Sequence, residues 1–253
     1  MAMIDVSSSQ KVARVVLDRP PLNVIDLEAA HELAAALESL RGGDGLSAVL
    51  LSARGKAFCA GVDVRDHLPD RGAAMLHEFH RVCGLLLAIE VPVVAAVQGP
   101  ALGGGCELTL MCDLVVASSR ATFGQPEIKL GVFPPLAAAA LPQLVPPRVA
   151  NEMLFTGRIL GAEEALRVGL VNRVAPEDEF PSAVDALLDE LTALSPASLR
   201  LTKQAMRLRR WRPEPEEIEE AERFYVEQLM NTPDAVEGLK AFLEKRAPVW
   251  GGR

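Results

Sequence analysis

The stretch ALGGGCELTLMCDL, residues 101–114, sets Gly103, Gly104 and Gly105 in a row, followed by the acid Glu107 and an apolar, helix-like segment. A glycine costs about 1 kcal/mol against alanine inside a helix. Three together at a helix start indicate a backbone that must come close to something. Two readings fit. The unpaired N–H groups of a helix N-terminus can hold negative charge while the missing side chains admit a ligand. Alternatively, the glycines serve only the tight packing of helix on sheet. A phosphate loop does not fit, because Cys106 stands where Lys and Ser/Thr are needed. A dinucleotide fingerprint fails too, since GxGxxG cannot be placed with its strand, helix and downstream acid.

Two other segments decide between these readings. Residues 55–66, GKAFCAGVDVRD, form a second small-residue turn between a strand and a helical segment. Residues 123–135, FGQPEIKLGVFPP, carry Glu127 directly after Pro126. Two glycine-bearing loops could each donate one backbone N–H to a single oxygen. Glu107 and Glu127 could then act on either side of the adjacent carbon.

The rest of the chain fits an α/β protein. Strands are expected over 12–18, 48–52, 93–97 and 113–117, with helices over 27–41 and 73–90. Strands separated by helices imply crossover connections. From about Pro176 the pattern turns helical, over 183–194, 197–210, 215–230 and 234–245. The segment RRWRPEPEEIEEAERF, basic and then acidic, reads as a solvated helix start. With 49% hydrophobic residues in 253, the chain can bury a substantial core.

The balance of charge narrows the partners. With 26 Lys and Arg against 34 Asp and Glu, the formal charge is −8, which argues against nucleic acid. The first residues show no basic region followed by an apolar block, and no apolar run approaches the roughly 20 residues that cross a bilayer. A soluble, cytoplasmic protein is expected, with no membrane partner. Cys59, Cys83, Cys106 and Cys112 form no CxxC pair and read as reduced, mostly buried thiols. His77 and His80 are read as sharing a helix face, but no further ligand completes a metal set. No metal site is assigned.

At this point a resemblance enters. AFCAGVDV, AAVQGPALGGGCELTLMCDLVVAS and ATFGQPEIKLGV resemble the two oxyanion loops and the second-acid segment of the crotonase, or enoyl-CoA hydratase/isomerase, superfamily. LDRPPLN, LFTGRILGAEEALRVGLVNRV and EGLKAFLEKRAPVW extend the likeness, in order, over essentially the whole chain. The resemblance implies a crotonase-like spiral of repeated ββα units over 1–195. A helical region over 196–253 would then serve oligomerisation and complete the CoA site. It implies trimers, commonly paired into hexamers, and no cofactor beyond the CoA that the substrate carries.

Position by position, the family's oxyanion donors match the N–H groups of Val62 and Gly104, and its hydratase acids match Glu107 and Glu127. Ala60, Asp63 and Val64 fall where that loop lies along pantetheine and adenine, and Gly103 borders the acyl group. Phe242 and Lys245 match CoA contacts, often supplied by a neighbouring subunit. Lys56 and Arg65 are further cations for the CoA phosphates. The chain departs from the family after Glu127. Where many members read like IPGAGGTQRL, this one has VFPPLAAAALPQL, so Phe133 and Pro135 stiffen the expected acyl wall. That variant resembles the cyclohexa-1,5-diene-1-carbonyl-CoA hydratases.

Such a site suits the addition of water to an unsaturated thioester. Charge develops on the thioester oxygen as the β-carbon is attacked, and two N–H donors stabilise it. Glu107 would accept a proton from water while Glu127 protonates the α-carbon. Isomerases often keep one acid, so the presence of two favours hydration over double-bond migration. A catalytically idle CoA-ester binder, or an RNA-binding scaffold, is the alternative of another class.

Overall fold

The computed structural model describes residues 3–9, 11–42, 45–206 and 215–249. Strand β1 (Ile4–Ser9) pairs antiparallel with β2 (Val12–Leu17), and helix α1 (Leu27–Glu38) follows. The Asp26 carboxylate starts α1 by accepting the Ala29 N–H at 3.0 Å. Next come β3 (Ala48–Ala53), α2 (Gly72–Ala88), β4 (Val93–Val97), β5 (Pro100–Leu102) and α3 (Gly104–Leu110). Then β6 (Leu114–Ser118), β7 (Thr122–Gly124), α4 (Pro135–Leu144) and α5 (Pro147–Thr156) continue the winding. Finally β8 (Ile159–Gly161), α6 (Ala162–Arg167) and β9 (Arg173–Ala175) close it.

The strands form two sheets. One runs in the order β1-β2-β3-β4-β6-β9 and the other β5-β7-β8. From β4 to β7 consecutive strands alternate between them, so β4-β5-α3 and β6-β7-α4 repeat one ββα unit. Single bridges, Cys59 to Ala101 and Ile25 to Val62, carry the same pattern into the two preceding turns.

β4, with the sequence VVAAV, is buried at all five positions, as a central parallel strand covered on both faces must be. Val93, Ala95 and Val97 face the larger core with Leu33, Leu86 and Leu108. Val94 and Ala96 face a second cluster with Leu187, Leu188 and Leu191 of α7 (Phe180–Thr192). This alternation is the two-residue period of a strand expressed in packing.

α8 (Pro196–Met206) docks through a buried cation. Lys203 Nζ donates to the Val91 carbonyl at 2.8 Å and pairs with Asp113 at 2.5 Å. Asp113 in turn accepts the Val93 N–H at 2.8 Å, tying helix and sheet together.

The single helix expected over 215–230 is instead α9 (Pro215–Arg223), a π-helical turn at Phe224–Gln228 and a 3-10 turn at Leu229–Asn231. α9 packs on α4 and α2, and α10 (Pro233–Leu243) rests on the 3-10 turns Val64–His67 and Pro126–Leu130. The last turn of the helix expected to reach residue 210, and the basic end of RRWRPEPEEIEEAERF, lie outside the described residues. His77 and His80 are neighbours on α2 but differ in burial: His77 is exposed and His80 is 7% exposed. Three residues advance about 300° on a helix, enough at this boundary to carry one ring inward and leave the other outside.

Candidate active site

The three glycines have three different neighbours. Gly103 lies at φ +52°, and a β-carbon there would strike Glu127 Oε1. A β-carbon on Gly104 would stand 2.8 Å from Val62 Cγ2 and 3.0 Å from Phe79 Cζ. One on Gly105 would collide with the Cys59 carbonyl. Tight packing and an open backbone are therefore both served by the same run.

The first loop lies alongside. The Leu102 N–H donates to the Cys59 carbonyl at 2.9 Å, and the Cys59 N–H to the Pro100 carbonyl at 3.1 Å. Gly61, at φ +116°, is held so close that a β-carbon would sit 3.2 Å from the Leu102 carbonyl oxygen and 4.0 Å from the Gly104 nitrogen. Among the described residues, no acceptor takes the N–H of Val62 or of Gly104. In the Ile25–Val62 bridge, the Ile25 N–H donates to the Gly61 carbonyl and the Asp63 N–H to the Ile25 carbonyl, leaving Val62 out.

Glu107 stands in the first turn of α3 and is 4% exposed. Its Oε1 accepts the Ala137 N–H at 2.8 Å. Burial pushes its pKa up, while nearby His80 and the Ala137 N–H act the other way. Glu127 opens the 3-10 turn Pro126–Leu130, which ends at Gly131 with φ +76°. Its Oε2 is buried without a partner. Burial first, and then the charge of Glu107, push its pKa up to about 8. The two acids thus differ in their support, and burial together with the charge of Glu107 favours the protonated form of Glu127.

Phe133 and Pro135 stand at the start of α4, Pro135 at its first helical position. Phe133 packs edge-on against Tyr225 from the π-helical turn, with ring centroids 5.7 Å apart at 66°. Tyr225 is 1% exposed and its hydroxyl is buried without a partner. His80 is held by Glu222, with Nδ1 and Oε2 at 3.0 Å, and its Nε2 has no partner. Sequence reasoning did not single out Tyr225, Glu222 or the role of His80. Tyr225 is the sole tyrosine in the chain, but nothing local marks it as buried.

The remaining candidates sit further out. Asp63 caps the 3-10 turn Val64–His67 by accepting the Arg65 N–H at 2.9 Å, and its carboxylate grips the Arg65 guanidinium. Arg65 so held keeps the Asp63 pKa below the usual range and is itself engaged within the loop. Ala60, Val62 and Val64 are half-buried along the same edge. Lys56, Phe242 and Lys245 are exposed, so the structure does not gather them around the acids. All four cysteines are free and buried, and burial pushes Cys59 and Cys106 up to about 12.

The profile of the enoyl-CoA hydratase/isomerase family matches residues 7–253. The chain belongs to that family. A cyclohexa-1,5-dienecarbonyl-CoA hydratase of Thauera aromatica is 38% identical over 240 residues, covering 95% of this chain and 93% of the relative. A probable enoyl-CoA hydratase of Mycobacterium tuberculosis is 36% identical, covering 96% and 95%. Among solved structures, a carnitinyl-CoA hydratase from Mycobacterium avium superposes with a TM-score of 0.88 at 34% identity, over 100% of both chains. The spiral of ββα units described above is therefore the crotonase fold.

Proposed function

We propose that this enoyl-CoA hydratase/isomerase family member is a hydro-lyase that adds water across the α,β double bond of an acyl-CoA thioester. The observation that carries this reading is the asymmetry of the acid pair. Glu107 is tied to a backbone N–H and accompanied by His80, so it serves as the base. Glu127, with an unpartnered oxygen and a pKa raised to about 8, serves as the acid.

The thioester oxygen rests between the N–H groups of Val62 and Gly104. Water loses a proton to Glu107 as its oxygen bonds to the β-carbon. The π electrons move to the α-carbon and the thioester oxygen, and Glu127 returns a proton to the α-carbon. The Val62 and Gly104 donors stabilise the oxygen when its charge is greatest, which lowers the barrier and not merely the binding energy. The positive end of α3 adds to this.

Gly103, Phe133 and Pro135 border the acyl group, and Ala60, Asp63 and Val64 run along pantetheine and adenine. Lys56, Arg65, Phe242 and Lys245 contribute to the CoA end, where a trimer or hexamer of this chain in the cytoplasm would supply neighbouring copies. The Phe133–Tyr225 pair is aromatic, its rings meeting edge-on at 66°, and offers an apolar surface that suits an unsaturated ring. Together with the likeness to the Thauera aromatica protein, this supports a cyclic dienoyl-CoA as substrate. No cofactor beyond the substrate's own CoA is needed.

The test is turnover of crotonyl-CoA and cyclohexa-1,5-diene-1-carbonyl-CoA side by side. Faster hydration of the ring supports the aromatic wall as its recognition surface. A clear preference for the straight chain removes the ring assignment and leaves the hydratase.

A further inference from the structure

The mechanism above uses two carboxyls and two backbone donors, and leaves the Tyr225 hydroxyl without a task. Yet the Tyr225 hydroxyl is buried and unpartnered, in a ring packed edge-on against Phe133 of the acyl wall. A buried hydroxyl with no partner is a cost to the empty enzyme unless something bound later accepts or donates there. The charges of both Glu127 and Glu107 act on this phenol, after burial itself, and all three push its pKa up. The group therefore lies within electrostatic reach of the two acids and stays protonated throughout the neutral range.

We propose that Tyr225 is a further catalytic residue, whose phenol donates a hydrogen bond to the oxygen that water contributes to the product. This rests on the hydratase reading above. The oxygen's own valences leave room for it. Of the water's two protons, one passes to Glu107 and the other stays on the new hydroxyl. One lone pair forms the bond to the β-carbon, and the other is free to accept from Tyr225. No bond to the phenol forms or breaks. The oxygen is most hydroxide-like while its proton is leaving, so the donation is strongest in the transition state and acts on kcat.

Glu222 and His80 are the positioning contact. Glu222 precedes Tyr225 by three residues, and its carboxylate meets His80 Nδ1 of α2 at 3.0 Å. That pair pins α9 to the core just before the π-helical turn that presents the phenol.

The experiment is steady-state hydration by wild type, Tyr225→Phe, Glu222→Ala and the double variant, with the Tm of each. Tyr225→Phe keeps the ring and removes only an unpartnered hydroxyl, so its Tm should equal or exceed that of the wild type. Its kcat should fall about 10- to 100-fold with KM little changed. Glu222→Ala should lower kcat in the wild-type background and add little once Tyr225→Phe is in place, while lowering Tm equally in both. Affinity for a 3-hydroxyacyl-CoA over its saturated analogue should also drop in Tyr225→Phe. Wild-type kcat in Tyr225→Phe, or a loss confined to KM, overturns the proposal while the hydratase reading stands. A wild type that hydrates no enoyl-CoA overturns both.

Discussion

Glu107 Oε1 accepts the Ala137 N–H at 2.8 Å, so the first acid caps a helix thirty residues further along the chain. α4 begins at Pro135, and its own N-cap residue, Pro134, has no side-chain acceptor to offer. Ala137 is the third residue of that helix, where an N–H is left free of any intrahelical partner. The helix start gains an anion and the anion gains a donor together with the positive end of α4. The segment that departs from the family after Glu127 thus supports Glu107 through its backbone. Glu127 has its Oε2 buried without a partner, and against burial and the charge of Glu107 its own backbone N–H is what lowers its pKa.

Replacing either acid by glutamine separates chemistry from folding. Glu107→Gln keeps a side-chain oxygen for the Ala137 N–H, so its Tm should change little. Hydration should fall by about 10²–10⁴-fold in each variant, with CoA-ester binding retained. Stopped-flow turnover beside calorimetric affinity for a saturated acyl-CoA measures both. Near-normal turnover in both variants removes the two acids from the mechanism.

The pH dependence follows from Glu127. As the proton donor it must be protonated, so kcat/KM should decline as pH rises through about 8. Stability moves in the same direction. Above the unfolded carboxyl pKa of about 4.3 the unfolded chain releases this proton while the folded chain holds it until about 8. Stability is full below that window and is lost as pH rises across it. Glu127→Gln removes the effect, so its Tm advantage over the wild type should be larger at pH 8 than at pH 5. Equal differences at both pH values contradict the raised pKa.

Gly103→Ala attacks the second acid through the backbone. A β-carbon there meets Glu127 Oε1 and also strains a residue at φ +52°. The acid must shift, and a displacement of about 1 Å can cost 10²-fold in rate. Kinetics of the variant should show kcat lowered by about that factor or more, with a lower Tm. Unchanged kcat places Glu127 elsewhere in the working enzyme.

Lys203→Met tests what fixes α8. The substitution removes the buried ammonium from the part-buried Asp113 carboxylate, which also accepts the Val93 N–H. Breaking a fully buried pair costs about 3–5 kcal/mol, so breaking this part-buried one should lower Tm by at most about 6–20 °C in a chain of this size. Thermal unfolding of the variant measures it, and a change of under about 2 °C makes the pair unimportant.

The parts legible in sequence were those carried by local pattern. The buried run at residues 93–97, the amphipathic helices and the glycine loops with their acids each occupy a continuous stretch. β5, β7 and β8 escaped because three residues are too few to show a period. β1 escaped because its IDVSSS is mostly exposed and its apolar alternation stops after Val6. The support around the acids was illegible for another reason. Glu107 meets Ala137 thirty positions away, and His80 meets Glu222 at a separation of 142. Only the folded chain makes those neighbours. Asp63 and Arg65, expected as separate ligand contacts, turn out to hold each other.

The central claim is that the acid pair adds water. The most direct measurement is turnover of an enoyl-CoA in heavy-oxygen water, with mass and label position read in the product. The account predicts a gain of one water, with the heavy oxygen held in a hydroxyl on the β-carbon and absent after Glu107→Gln. A product of unchanged mass with its double bond moved, or no product at all, contradicts it.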